Sequence, residues 1–104
     1  KVIGWASLSR FHPRSAYRFT VENSVYIHPE HHRRGIGRAL MTQLIRMAGE
    51  LGYRSIIAGI YADQEPSLRL HASLGFEKVG HLHEVGYKFG LWLDVVTMQL
   101  RLVK

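Results

Sequence analysis

The residues best suited to chemistry lie at positions 33–39, which read Arg-Arg-Gly-Ile-Gly-Arg-Ala. Two closely spaced glycines, Gly35 and Gly37, leave backbone N–H groups uncovered by side chains. A helix-like stretch follows, so the positive end of its dipole points at the same spot. Three arginines of the same run flank these amides. The run therefore predicts a binding site for a phosphate or pyrophosphate.

Composition sets the outer limits. The chain has 104 residues, enough for one domain at most, and its 46% hydrophobic and 21% charged residues are typical of a globular protein. No apolar stretch approaches the roughly 20 residues that cross a bilayer. The absence of cysteine excludes disulfides, thiolate metal sites and cysteine nucleophiles. The net charge of +6 attracts anions but does not choose among nucleotides, nucleic acids and acidic lipids.

Five strands and two helices are predicted to position the run. Apolar residues recur at spacings of three and four after Gly37, which indicates an amphipathic helix that ends at Gly52. Both helices connect strands, so the sheet is mixed and the fold class is α/β in the α+β sense. The predicted strands are 2–8, 17–27, 55–61, 76–83 and 92–102, and the predicted helices are 37–51 and 66–74.

Three glycine-rich designs bind phosphates at such a position. The P-loop needs Gly-Lys-Ser/Thr, and Gly37 is followed by Arg38-Ala39 instead. The dinucleotide fingerprint needs a third small residue where Met41 and Thr42 follow, and its acidic position is ambiguous around Asp63. These two designs fit poorly.

A third design fits better. Arg34-x-x-Gly37-x-Ala39 resembles the (Gln/Arg)-x-x-Gly-x-(Gly/Ala) signature of the GNAT superfamily of N-acetyltransferases, which bind acetyl-CoA. Residues 67–76 resemble the family's helix that ends in Leu-Gly-Phe. Residues 85–95 resemble the phosphinothricin and methionine sulfoximine acetyltransferase branch, and generic members lack this segment.

The resemblance carries expectations about architecture. It implies a mixed, mostly antiparallel sheet flanked by helices, with an acetyl-CoA-binding core at about 21–76. It also implies that the family's first strand and first two helices precede Lys1, so that residues 1–104 form the C-terminal portion of a single acetyltransferase domain. A chain without those elements is expected to aggregate or to complete its sheet with another chain.

Acetyl transfer from a thioester to an amine needs a base, donors to the oxyanion and a proton for the leaving thiolate. The resemblance assigns these roles to Glu22, to the backbone amide of Ile27 and to His71. Each residue also has a structural interpretation: a surface carboxylate, ordinary strand core, and a packing residue beside Leu74. A histidine acid requires a pKa near neutrality.

The resemblance also implies the coenzyme contacts. Backbone amides of residues 33–38 hold the pyrophosphate, and the arginines there are expected to meet the ribose 3′-phosphate. Gln64 stands where the family usually has asparagine, so that contact stays open, and Ser73 is alternatively a solvated helix serine. The implied set is Val25, Tyr26, Ile27, Arg33, Arg34, Gly35, Ile36, Gly37, Arg38, Gln64 and Ser73.

Ser15, Ala16 and Tyr17 match the acceptor-binding loop of the branch. A carboxylate on the acceptor would suit Arg14 or Arg18 nearby. The implied reaction is direct acetyl transfer to the amine of a small amino-acid analogue of the phosphinothricin, methionine sulfoximine or methionine sulfone type. Acetylation of a peptide or another amine, and a basic nucleic-acid-binding module, are the alternatives.

Histidines form two groups, His28, His31 and His32 in one loop and His81 and His83 on one strand face. Zinc sites usually include carboxylate or thiolate partners, and Glu30 is the only acid near the loop, so no metal site is predicted. We expect a homodimer in the cytoplasm, without nucleic-acid or membrane partners.

Overall fold

Five strands and two α-helices follow one another along residues 4–27 and 35–102, the part of the chain that the computed structural model describes. No helix among these residues is long and apolar enough to cross a membrane. The elements are β1 (Gly4–Arg10), a single 3-10 turn (Ser15–Tyr17), β2 (Thr20–Ile27), α1 (Ile36–Glu50), β3 (Ser55–Tyr61), α2 (Glu65–Ser73), β4 (Glu77–Lys88) and β5 (Leu91–Arg101).

The strands form one sheet in the order β1-β2-β3-β5-β4. Only β2 and β3 run parallel, and the other neighbours are antiparallel. Parallel neighbours need a crossover, and α1 provides it, whereas α2 carries the chain from β3 past β5 to the edge strand β4. The predicted mixed, mostly antiparallel sheet flanked by helices is confirmed.

One face of the sheet carries the core beneath the helices. The buried residues of α1 are Met41, Leu44 and Ala48, spaced three and four apart as its apolar stripe predicts. Alternate residues of β3 meet this stripe, because successive side chains of a strand point to opposite faces. The buried hydrophobic residues are Val21, Met41, Leu44, Ala48, Ile56, Ala58, Ile60, Phe76, Val96 and Met98.

The connection between β1 and β2 differs from the prediction. Tyr17 donates its N–H to the Arg14 carbonyl at 3.0 Å, and Arg18 donates to the Ser15 carbonyl at 3.2 Å. These bonds hold residues 15–17 in a 3-10 turn, so β2 begins at Thr20 and the strand predicted from residue 17 was wrong over its first three positions.

The hairpin of β4 and β5 is longer than predicted. β4 continues beyond the predicted end at His83 to Lys88, through an irregularity between Leu82 and Gly86. Gly86 therefore pairs within the ladder instead of interrupting it. The turn itself lies at Gly90, whose φ of +77° explains the glycine there.

Candidate active site

Strands β2 and β3 form a fork. Their parallel ladder contains only the pairs Thr20–Ser55, Val21–Ile56 and Glu22–Ile57. Beyond these pairs β2 continues to residue 27 and β3 to residue 61, while β2 stays paired with β1 on its other side. Within the described chain, residues 23–27 thus have no ladder partner in β3. Their backbone groups on that side are available to a ligand.

Val25, Tyr26 and Ile27 form the free arm of this fork. They pair with Ala6, Trp5 and Gly4 of β1. These are the three β2 residues that the resemblance places among the coenzyme contacts.

Glu22 occupies the last rung before the strands separate. Its neighbours face the helices, since Val21 is buried in the core and the Asn23 amide lies 3.5 Å from the sulfur of Met41. Because side chains alternate along a strand, Glu22 points to the sheet face opposite α1. It is half-buried there, at the base of the fork.

The start of α1 has uncovered amides. Gly35 is its N-cap residue with φ +74°, and a Cβ added there would meet nothing within 4 Å. No described side chain caps this end, and the first turn carries no acidic residue. The N–H groups of the first turn have no intrahelical acceptor and lie at the positive end of the helix dipole. This is the arrangement that an anion needs, although Arg33 and Arg34 lie outside the described residues.

Two residues predicted to contact the coenzyme lie together. Arg38 at the start of α1 donates from Nη2 to Ser73 Oγ at 2.6 Å, and Ser73 donates to the Leu70 carbonyl at 2.7 Å. Both side chains are exposed. Gln64, the N-cap residue of α2, is also exposed, and its side chain caps no helix amide. The start of α1 and the end of α2 thus share one solvent-facing surface.

His71 lies in the interior, not at a solvent-accessible site. Its ring is 1% exposed and packs edge-on against Phe76 with the ring centroids 4.9 Å apart. Nδ1 lies 2.8 Å from the Ser67 carbonyl and therefore carries the hydrogen, so Nε2 accepts from Asn23 Nδ2 at 3.2 Å. Burial lowers the pKa of His71, and the bond to Ser67 only partly opposes this. These contacts are those of a packing residue, and the acid role of His71 stays a prediction.

The predicted acceptor loop is exposed. Ser15, Ala16 and Tyr17 form the 3-10 turn, beside a cavity of about 450 Å³. Glu22 does not line this cavity, but Ser9, its partner in the β1–β2 ladder, does. The lining residues are Leu8, Ser9, Arg10, His12, Pro13, Arg14, Ser15, Tyr17, Arg18, Thr20, Val21 and Tyr53.

The two arginines of this loop differ in what they contact. The Arg18 guanidinium donates to the Ser15 carbonyl at 2.8 Å and lies 4.6 Å from the centroid of the Phe19 ring. The Arg14 guanidinium has no hydrogen-bond or carboxylate partner among the described residues. Arg14 is therefore the cation of this loop that remains available to a ligand.

Sequence reasoning missed two polar residues. Asn23 interrupts the apolar side of β2, and its Oδ1 is buried without a partner among residues 4–27 and 35–102. Asp94 accepts a hydrogen bond from His81 at 2.8 Å and lies 3.3 Å from His83. The sequence signal for Asn23 was a polar residue two positions after Val21, on the side of the strand that faces the core. The other histidine group, at positions 28, 31 and 32, lies outside the described residues.

The described residues thus combine a fork of parallel strands with a helix start that no side chain caps. The model of the acetyltransferase (GNAT) family matches residues 1–76, so the chain belongs to this family. It is 45% identical over 101 residues to an L-methionine sulfoximine/L-methionine sulfone acetyltransferase of Salmonella typhimurium, covering 97% of this chain and 59% of that protein. It is also 45% identical to a phosphinothricin N-acetyltransferase of Alcaligenes faecalis, covering 95% of this chain and 51% of that protein.

A solved structure shares the fold. The Salmonella typhimurium protein yncA, solved with its cofactor acetyl-CoA, superposes with a TM-score of 0.96 at 43% identity. The superposition covers 100% of this chain and 60% of that one. The chain thus spans between about half and three fifths of the length of these relatives.

Proposed function

We propose that the protein is an acetyl-CoA-dependent N-acetyltransferase that transfers the acetyl group directly to the amine of a small amino-acid analogue. The fork between β2 and β3 is the observation that carries this proposal. It provides free backbone on one arm, a carboxylate at its base and an anion site at the helix that follows. The similarity to proteins named for methionine sulfoximine and phosphinothricin supports this acceptor class.

The coenzyme would lie across the core at about 21–76. The amides of residues 33–38 would bind its pyrophosphate, with Arg38 held beside Ser73 on the same surface. The backbone of Val25, Tyr26 and Ile27 would pair with the pantetheine arm. Acetyl-CoA supplies the activated thioester carbonyl.

Glu22 would act as the general base. Its carboxylate, directly or through a water molecule, accepts the proton of the acceptor amine so that the nitrogen lone pair becomes nucleophilic. The backbone N–H of Ile27 would donate to the oxygen that becomes negatively charged during attack. Both ring nitrogens of His71 are hydrogen-bonded, to the Ser67 carbonyl and to Asn23, so we propose that this residue positions α2. The leaving thiolate would then take its proton from solvent.

Arg14 would bind the acceptor carboxylate. Arg14 lines the cavity beside the 3-10 turn, whereas the Arg18 guanidinium already donates to the Ser15 carbonyl. Ser9 lines this cavity and is paired with Glu22 in the β1–β2 ladder, so the cavity lies next to the proposed base. A bidentate pair with Arg14 would select acceptors that keep a free carboxylate.

The test is a thiol-release assay against phosphinothricin, methionine sulfoximine, methionine sulfone and a peptide amine. Glu22→Gln should lower kcat by about 100-fold or more, as loss of a general base does, with the affinity for acetyl-CoA nearly unchanged. Glu50→Gln, which removes an exposed carboxylate at the end of α1, is the matched control. An unaltered rate in Glu22→Gln would remove this residue from the mechanism, and exclusive turnover of the peptide would replace the acceptor class.

We further propose that the enzyme is a cytoplasmic homodimer. Support for association comes from exposed apolar side chains along the β4–β5 hairpin, above all Phe89, which is 92% exposed, together with Tyr87 and Trp92. Sedimentation of the full-length protein tests the dimer, and a monomer at all concentrations would contradict it.

A further inference from the structure

A second cluster of functional groups lies on β4 and β5. Nε2 of His81 is 2.8 Å from Oδ2 of Asp94, and Nδ1 of His83 is 3.3 Å from the same oxygen. The three ligand atoms all lie within 4.8 Å of one another. None of the residues assigned to coenzyme, acceptor or catalysis belongs to this cluster. We propose that His81, His83 and Asp94 bind a divalent transition metal ion of the zinc class.

The hairpin aims these side chains at one point. His81 and His83 are two positions apart on β4, so they share a face, and their rings stack at 4.4 Å between centroids with 18° between planes. Asp94 reaches them from the neighbouring strand β5. The ladder is irregular after Leu82, and this irregularity turns the Glu84 N–H toward Asp94 Oδ1 at 2.9 Å. One carboxylate oxygen is therefore held by backbone while the other faces both imidazoles.

The donor set suits zinc. Two imidazole nitrogens and one carboxylate oxygen, with a fourth position left to water, is a recurrent zinc coordination. A tetrahedral ion with bonds of about 2.0–2.2 Å separates its ligand atoms by about 3.3–3.5 Å. The His83–Asp94 separation of 3.3 Å already matches this value, and the His81–Asp94 separation of 2.8 Å must widen by about 0.5 Å.

The surroundings of the cluster suit a bound ion. The Glu84 N–H fixes the orientation of the Asp94 carboxylate, as groups behind a metal ligand commonly do. His83 is 76% exposed at its side chain, which gives it freedom to adjust and gives the ion a path from solvent.

The position indicates a structural ion. The backbone carbonyl of Asp94 accepts a hydrogen bond from the Ala62 N–H at 3.0 Å. This bond connects the cluster to the end of β3, just before Gln64. An ion held by both strands would fix the irregular part of the hairpin and the approach to α2. The alternative is a metal-free cluster in which the two imidazoles only hydrogen-bond to the carboxylate.

Titration of the metal-free, full-length protein with Zn²⁺ alone, followed by calorimetry, tests the site. One ion should bind per chain, and His83→Gln and Asp94→Asn should each weaken binding by about 100-fold or more, because loss of a direct ligand exceeds the 10–100-fold cost of losing a group behind it. His83→Gln changes an exposed side chain, so it retains the fold. His12→Gln is the control, since it removes another exposed histidine and should leave the affinity unchanged.

Co²⁺ provides a second readout. Bound to the wild type it should give the visible absorption of a four-coordinate ion, which His83→Gln should abolish. Equal Zn²⁺ affinity in wild type and His83→Gln would overturn the proposal. So would loss of binding only in the double variant His31→Gln/His32→Gln, because that would place the ion in the loop. This proposal stands or falls independently of acetyl transfer.

Discussion

Because the imidazole of His71 is buried, the free energy of unfolding should depend on pH in a way that distinguishes a packing residue from an acid catalyst. Nδ1–H donates to Ser67 and Nε2 accepts from Asn23, so only the neutral ring satisfies both bonds. A proton on Nε2 would meet the Asn23 NH₂ group and would require that amide to turn over and leave the Met41 sulfur. The folded protein therefore resists protonation, and burial lowers the pKa of His71 below its ordinary 6.5.

The lowered pKa of folded His71 makes the free energy of unfolding depend on pH. Below pH 6.5 the unfolded chain protonates His71 while the folded chain does not, so the free energy of unfolding falls as the pH falls toward the folded-state pKa. One proton limits the slope to about 1.4 kcal/mol for each pH unit. Above pH 6.5 this contribution is fully present and does not change with pH.

Urea unfolding of wild type and His71→Gln between pH 7.5 and 5 measures the effect. The variant loses a buried, hydrogen-bonded ring and should be less stable at pH 7 by about 1–3 kcal/mol. The difference between the two proteins should shrink as the pH falls, because only wild type loses the His71 contribution. Other histidines cancel in this comparison. A constant difference over the whole range would refute the buried neutral ring.

Two further predictions concern the helix start and the acceptor loop. Gly35→Ala should lower the free energy of unfolding by about 1–2 kcal/mol because of its φ of +74° alone, since the added Cβ enters open space. Gly49→Ala, inside α1, should instead raise it by about 0.5–1 kcal/mol. Thermal unfolding measures both variants, and equal effects would contradict a strained backbone at Gly35. Arg14→Gln should raise the KM for the acceptor by about 10–100-fold, because a hydrogen bond to a charged group contributes about 1.5–3 kcal/mol. The Kd for acetyl-CoA should not change. Steady-state kinetics that show no change in this KM would exclude Arg14 from the carboxylate site.

Local pattern was sufficient for most elements. The apolar spacing after Gly37 predicted α1 almost to its ends, and helices between strands predicted a mixed sheet. It failed over residues 17–19, where aromatic residues favoured a strand but the carbonyls of Arg14 and Ser15 close a 3-10 turn.

The candidate site depended on contacts that no local pattern contains. His71 is buried because it meets Asn23, which lies 48 positions earlier. The approach of His81 to Asp94 depends on the register of β4 on β5, with its irregularity. The fork after Glu22 reflects where a parallel ladder stops, which no local pattern shows.

Backbone amide NMR of the ¹⁵N-labelled full-length protein, titrated with coenzyme A, would locate the bound coenzyme on the fold. The largest shift changes should occur at the amides of residues 25–27 and 35–38, the free arm of the fork and the start of α1. Gly49, at the far end of α1, should move little. Binding that left the amides of 35–38 unmoved while others shifted, or no binding at all, would exclude the start of α1 as the coenzyme site.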